Sequence, residues 1–434
     1  MKKSLRNSFL SCMAAGTLFT SCQTDSLPAI KLPRTEVLDS ILDSYVTNGY
    51  YPFLYARLED KEGRVIYEHG RVNQELLPGV EVDGESWIRI WSMSKIVTIS
   101  TVLDLIEDGI LNLNDPVSKF IPEFAEMKVA VTEDGIPLAE LDPERYGSAC
   151  PYQLVPADSV MTILHLINHQ AGFYYSVTGI PCLDSLQAAM NLPSAENSEE
   201  LIRRMATLPL IQHPGTTYFY GTNTTVLGLV AERATGKSLK QLVEERVTGP
   251  LGIEGLQYGL PAGASIMPRF SGRDTILREA HPGELDIFGE DLPRYDPEYQ
   301  LYLGGEGMVA TADGYADFLR MLLQGGELNG ARMLEESTVR DIHSPHTQVD
   351  NPYGYNGYNL WVSSDSMRAQ GTGDAGLWIG GGYEGTHFWV DPEREFVGVI
   401  MSQMFWVQPG GYGRDDAIRG EIYRQLFKME GSQR

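Results

Sequence analysis

The run Arg89-Ile90-Trp91-Ser92-Met93-Ser94-Lys95 pairs a hydroxyl with an amine three residues further on. Residues three apart share one face of a helix, so the Lys95 amine can come within hydrogen-bond reach of Ser92 Oγ. An amine so placed can take the serine proton, and the alkoxide can attack a carbonyl to give an acyl-serine intermediate. The pair needs a helix to hold it. Ile96 to Leu105 is apolar on most sides, as expected of a helix inside a domain, and Glu107-Asp108-Gly109 supplies a C-terminal glycine stop. Spacing alone is a weak signal, since a chain of this length carries about one such serine and lysine by chance, often at a surface helix start.

The elements that would position the pair come from both ends of the chain. Glu36 to Val46 reads as an amphipathic helix. Tyr51 to Leu58 and Arg64 to Glu68, joined through Glu59-Asp60-Lys61-Glu62-Gly63, read as a β-hairpin. Near the other end, Thr386 to Val390 and Phe396 to Ser402 read as strands and Arg414 to Lys428 as a helix. The middle is rich in helical patterns, loops and prolines. These patterns predict an α/β (α+β) domain over 35–430, with an α/β part from about 35–118 and 302–430 and a mainly helical part inserted over 119–301.

With 434 residues and 42% hydrophobic content, the chain has ample material for a core. Lys2, Lys3 and Arg6 precede a short apolar stretch ending at Phe19-Thr20-Ser21-Cys22, which reads as a secretion signal over 1–22. A cysteine after small residues is similar to a bacterial lipobox, so Cys22 is expected to be the lipidated mature N-terminus. Residues 23–34 would then be a tether, and the chain an exported lipoprotein, periplasmic or associated with the outer membrane. The formal net charge of −24 becomes 31 − 58 = −27 without the three basic residues of the signal. So acidic a chain lacks the phosphate-neutralising surface that nucleic acid binding depends on. Cys150 and Cys182 are left in an export-compatible compartment; a disulfide between them stays open, because spacing gives no distance.

Several further segments line up in order. They are Leu113-Asn114-Asp115-Pro116-Val117, Met161 to Gly172, Pro214-Gly215-Thr216-Thr217-Tyr218-Phe219-Tyr220-Gly221-Thr222-Asn223 with Val226-Leu227-Gly228, Gly304-Gly305-Glu306-Gly307-Met308-Val309-Ala310-Thr311, and Phe388-Trp389-Val390-Asp391-Pro392. With Ser92 to Lys95 they resemble the serine hydrolases related to class C β-lactamases, a group that includes penicillin-binding proteins, D-amino-acid peptidases and esterases. The resemblance covers nearly the whole mature chain and implies the β-lactamase/transpeptidase-like fold, an antiparallel sheet flanked by helices.

It also implies the rest of the site. The family's second element, a tyrosine followed two residues on by Asn or Ser, falls on Tyr220, which is preferred to Tyr218 on its spacing to Val226-Leu227-Gly228. Here the sequence departs from the pattern, with Thr222 at that position and Asn223 one later. The third element, usually opened by Lys, His or Trp, falls on Gly380-Gly381-Gly382. Without a cation there, a substrate carboxylate has no partner, which favours neutral esters or amides, with Asn223, Trp378 and the three glycines as substrate-binding candidates and Tyr383 as a further aromatic wall. The backbone N–H groups of Ser92 and Tyr383 would form the oxyanion hole. Either Lys95 or a Tyr220 phenolate would take the Ser92 proton. Free lysine and tyrosine titrate at about pH 10, so one of them has to be held deprotonated at a cost of about 4 kcal/mol.

Other patterns carry less. His165 and His169 stand four apart but lack a following acid, and Gly380, Gly382 and Gly385 fit G-x-G-x-x-G without the strand-to-helix context a dinucleotide site needs. The acidic group Glu284, Asp286, Glu290 and Asp291 lacks calcium-loop spacing. No metal or cofactor is expected. The sequence thus predicts a carboxylesterase-like serine hydrolase acting through Ser92, Lys95 and Tyr220. The alternatives are a peptidoglycan D-peptidase or weak β-lactamase, and a catalytically silent peptide-binding or sensor protein.

Overall fold

The computed structural model describes residues 35–427 apart from 143–149, 273–275, 282, 285–286, 288–294, 297, 349–353 and 408–413. Cys22, the expected signal and the tether lie outside the described residues, as do Asp286, Glu290 and Asp291.

The two chain ends meet in one antiparallel sheet. Its strands are β1 (Phe53–Asp60), β2 (Val65–Val72), β3 (Thr347–Gln348), β4 (Tyr355–Asn356), β5 (Trp361–Val362), β6 (Trp378–Gly382), β7 (Thr386–Asp391) and β8 (Phe396–Met401), in the spatial order β3-β4-β5-β6-β7-β8-β1-β2. β1 joins the halves by pairing with β8 from Tyr55↔Met401 to Asp60↔Phe396. Alternation along each strand sorts its side chains between two cores. Leu54, Ala56 and Leu58 of β1 and Phe396 and Ile400 of β8 pack on one face against Leu38, Leu42 and Val46 of helix α1 (Thr35–Thr47) and Ile418 and Ile422 of α5 (Arg414–Phe427). Phe53, Tyr55, Phe388, Val397 and Val399 point to the other face, into the larger core.

That larger core contains α2 (Ser94–Glu107), whose residues from Ser94 to Leu103 are all buried. Beside it runs α3 (Asn223–Thr235), buried from Asn223 to Ala231, and α4 (Ala312–Leu323) lies against β8 and β1. The inserted region is not helix alone. Lys128–Val131 pairs with Gln153–Pro156, and a disulfide links Cys150 to Cys182 at a Cα separation of 5.8 Å.

A small three-stranded sheet prepares the site. Met308–Ala310 pairs with Ile88–Arg89 on one side and Leu256–Tyr258 on the other. The segment leading into Ser92 and the Gly304-Gly305-Glu306-Gly307 segment are thereby held side by side. Met308 N–H donates to Ser94 Oγ (3.2 Å), and Tyr315 OH of α4 donates to Met93 O (2.9 Å).

Candidate active site

Ser92 sits in a single 3₁₀ turn, Trp91–Met93, that runs into α2. Trp91 takes φ +45, a left-handed conformation that is strained for a residue with a bulky side chain and needs surrounding contacts to persist. Those contacts are present. The Trp91 indole N–H donates to Glu384 Oε2 (2.7 Å), and Arg269 Nε donates to Glu384 Oε1 (2.6 Å). The Tyr383 ring meets the Trp91 ring edge-on at 5.6 Å. Gly382 lies so close to the same turn that a Cβ there would be 2.5 Å from Ile90 O, so glycine is required for β6 to reach the serine.

One helical turn on, Lys95 is completely buried, and its Nζ donates to Ser92 Oγ (3.1 Å), Tyr175 OH (2.9 Å) and Gly305 O (2.9 Å). Glu306 Oε1 is 3.4 Å away. The buried Glu306 carboxylate accepts from Tyr175 OH through Oε1 and from Thr225 Oγ1 through Oε2 (2.6 Å). Burial, with the Glu306 charge beside it, pushes the Tyr175 hydroxyl well above the usual phenol range.

Tyr220 stands at the mouth of the site, 39% exposed, with its ring centroid 4.9 Å from Lys95 Nζ. Among the described residues its hydroxyl makes no hydrogen bond to Ser92 or Lys95; the phenol bonded to Lys95 is Tyr175. His169 stacks on the Tyr220 ring at 4.8 Å. Burial and the nearby Lys95 push the His169 pKa down to about 3, so its imidazole is neutral, and Nδ1 accepts from Asn223 Nδ2 (3.2 Å). His165 serves its own short helix instead, closing a capping box with Thr162.

A cavity of about 290 Å³ opens over Ser92, walled by Ile96, Tyr218, Tyr220, Asn359, Trp361, Gly380, Gly381 and Phe388. Among the described residues, no wall residue carries a charge. Two expected substrate-binding side chains are placed elsewhere. Asn223 is fully buried behind Tyr220, where its amide bonds the His169 ring, Phe173 O and Phe219 O, because it begins α3 rather than projecting from the loop before it. Trp378 is buried and stacked on His343 at 4.2 Å. Gly382 faces Ile90, and the Tyr383 ring packs between Trp91 and Phe405, so the aromatic walls are Tyr218, Tyr220, Trp361 and Phe388. At Gly380 a Cβ would lie 2.4 Å from Phe388, so the Phe388 ring occupies the space a longer residue there would enter.

Sequence reading missed Glu306, Tyr175, Thr225, Glu384 and Arg269. Glu306 had a visible signal, being the one charged side chain in a run of glycines. Glu384 had none, since its partners lie 293 and 115 residues away along the chain.

A serine and a buried lysine at the junction of an antiparallel sheet with a helical region define the β-lactamase/transpeptidase-like fold. The chain belongs to the beta-lactamase family, whose model matches residues 61–418. It is similar to protein Rv1367c of Mycobacterium tuberculosis, 30% identical over 346 residues that cover 75% of this chain and 79% of that protein. It is also similar to a lovastatin esterase of Penicillium rubens, at 24% identity over 91% of this chain and all of that enzyme. Among solved structures, EstCE1, described as a hydrolase with promiscuous acyltransferase activity, superposes with a TM-score of 0.70 at 20% identity, covering 89% of this chain and 97% of its own.

Proposed function

We propose that this protein is a carboxylesterase-like serine hydrolase that forms an acyl-enzyme on Ser92 from neutral esters or amides. The observation that carries the reading is the hydrogen bond from the fully buried Lys95 to Ser92 Oγ at the floor of a cavity lined without charge. Lys95, as the amine, takes the Ser92 proton while Oγ attacks the substrate carbonyl. The oxyanion is received by the N–H groups of Ser92 and Tyr383, a pairing supported by the close packing of Gly382 on Ile90. The proton on Lys95 then goes to the leaving alcohol or amine, with the Tyr220 hydroxyl at the cavity mouth assisting. Water then attacks the acyl carbonyl as its proton passes to Lys95, and Lys95 returns that proton to Ser92 Oγ as the carbonyl–Oγ bond breaks and the acid leaves.

Absence of a cation from the cavity wall favours neutral substrates over the carboxylates of penicillins and D-alanyl peptides. The curated esterase relative agrees with this choice. Acyl transfer to an alcohol instead of water is a second reading, favoured by the open, aromatic mouth and by the similarity to EstCE1. The Cys22 signature and the Cys150–Cys182 disulfide support export to an oxidising compartment on a lipid anchor.

The test is turnover of a short p-nitrophenyl ester, a chromogenic cephalosporin and a D-alanyl dipeptide by wild type and Ser92→Ala. Ester cleavage lost in the variant and exceeding that of the other two substrates is the expected result. Equal ester cleavage by both proteins would sink the reading.

A further inference from the structure

We propose that Glu306 is the buried counter-ion of Lys95, holding it as an ammonium at neutral pH so that Ser92 becomes reactive as the pH is raised. This rests on the serine-hydrolase reading for its catalytic consequence; the charge pairing itself does not.

The backbone is built to bring the carboxylate there. A Cβ at Gly304 would lie 2.6 Å from Thr224 O on α3, and one at Gly305 would lie 3.3 Å from Lys95 Nζ. Glycine at both positions lets the segment close on α2 and α3, and Glu306 fills the gap. It is fully buried, yet both of its oxygens accept hydroxyl protons, from Tyr175 and Thr225. A carboxylate is an acceptor only, and two hydroxyl donors suit it.

The neighbours of Lys95 suit the complementary charge. Gly305 O can only accept, and the Tyr175 proton is committed to Glu306, so the Tyr175 oxygen accepts from Nζ as well. Nζ has four acceptors around it, Gly305 O, Tyr175 OH, Ser92 Oγ and Glu306 Oε1 (3.4 Å), enough to occupy all three protons of an ammonium. The other groups facing the pair are Tyr218, Tyr220, Tyr258, Tyr295 and His169. Burial holds Tyr218, Tyr258 and Tyr295 as phenols and His169 as a neutral imidazole. The positive and negative members of the cluster are therefore Lys95 and Glu306, and each offsets part of the cost of burying the other.

A carboxylate beside an ammonium keeps the proton on, whereas burial without a counter-charge drives it off. Replacing Glu306 by the isosteric amide therefore frees the amine at lower pH. Glu306 acts through Lys95 and is a positioning residue.

The test is the pH dependence of Ser92 labelling by a fluorophosphonate, read by intact mass on wild type, Glu306→Gln and Tyr175→Phe, with Ser92→Ala as blank. Wild-type labelling should climb through the alkaline range. In Glu306→Gln the rise should lie roughly one pH unit or more lower, so that about tenfold more of its maximal rate is present at pH 7. Tyr175→Phe keeps both charges, and its rise should stay with that of wild type. A Glu306→Gln rise that coincides with wild type or moves upward overturns the proposal, since a packing role alone scales the rate equally at every pH. Wild type that takes no label at any pH refutes the serine reading, and the pairing is then read directly. The ¹³Cε resonance of Lys95, assigned by its loss in Lys95→Met, should report ammonium at pH 7 in wild type; an amine there overturns the proposal even if Glu306→Gln does not fold.

Discussion

Trp91 and Glu384 meet inside the protein, with the indole N–H 2.7 Å from a carboxylate that is completely buried. The bond ties the residue before the nucleophile to the turn after β6, which also carries Tyr383. It holds Trp91 at φ +45, and the second carboxylate oxygen neutralises Arg269, only 10% exposed. Glu384→Ala strands that guanidinium, so about 3–5 kcal/mol of stability should be lost in urea unfolding. Glu384→Gln keeps an acceptor for the indole and should lose less. Both should slow fluorophosphonate labelling at Ser92, because the turn is no longer fixed. Unchanged stability and labelling in Glu384→Ala would show that the turn is held by other contacts.

Phe388 and Gly380 face each other across β6 and β7, and between them they set the depth of the cavity. Phe388→Leu should raise the ratio of kcat/KM for p-nitrophenyl hexanoate over acetate by about tenfold, a typical return for extra apolar pocket. Gly380→Ala pushes a methyl against the ring and should shift the ratio the other way. A chain-length profile that neither variant alters would place the acyl group elsewhere.

Tyr220 lies against Lys95 Nζ without bonding Ser92 in the free protein. Catalytic hydrogen bonds often tighten only when substrate is bound, and a hydroxyl at the cavity mouth is placed to meet a leaving group. Tyr220→Phe should therefore lower kcat for an alkyl ester about 100-fold with KM within about twofold. A p-nitrophenyl ester, whose leaving group needs no proton, should be affected far less. Equal losses on both substrates would assign Tyr220 to the cavity wall.

The sheet built from both chain ends was legible because its strands carry local signals. Phe396–Met401 is a short apolar run bounded by turn residues, and Phe53–Asp60 is followed by a tight turn at Gly63. Ser92 and Lys95 were legible for the same reason, being three residues apart where a 3₁₀ turn runs into α2. What surrounds them was not. Tyr175 reaches Lys95 across 80 residues and Glu306 across 211, contacts that no periodicity encodes. Asn223 was misplaced because motif spacing says which residue begins α3 but not which way its side chain turns. The small sheet joining Ile88–Arg89 to Met308–Ala310 has strands of two and three residues, too short for an alternating pattern to show.

Two buried histidines make the fold sensitive to acid. Burial pushes His169 and His387 down to about 3, with Lys95 beside the first and Arg419 beside the second adding to the shift. An unfolded histidine takes up a proton at about pH 6.5, while these remain neutral until about pH 3, so between those values the unfolded chain binds more protons. Stability is therefore present above pH 6.5 and lost as the pH falls toward 3, by on the order of 4 kcal/mol per histidine. Asp415 opposes this, since burial raises its carboxyl to about 6 and the folded state then gains a proton before the unfolded one does. Burial also raises the carboxyls of Glu59, Asp104, Glu232, Asp313 and Asp317, which act in the same direction as Asp415, so the histidine contribution is read from the change that a variant makes to the slope of the urea midpoint between pH 7 and pH 4. His387→Gln, which keeps an acceptor for the Arg419 guanidinium, should flatten that slope, and Asp415→Asn should steepen it while raising stability at pH 7. A slope that His387→Gln leaves unchanged would mean that this imidazole is not held neutral by the fold.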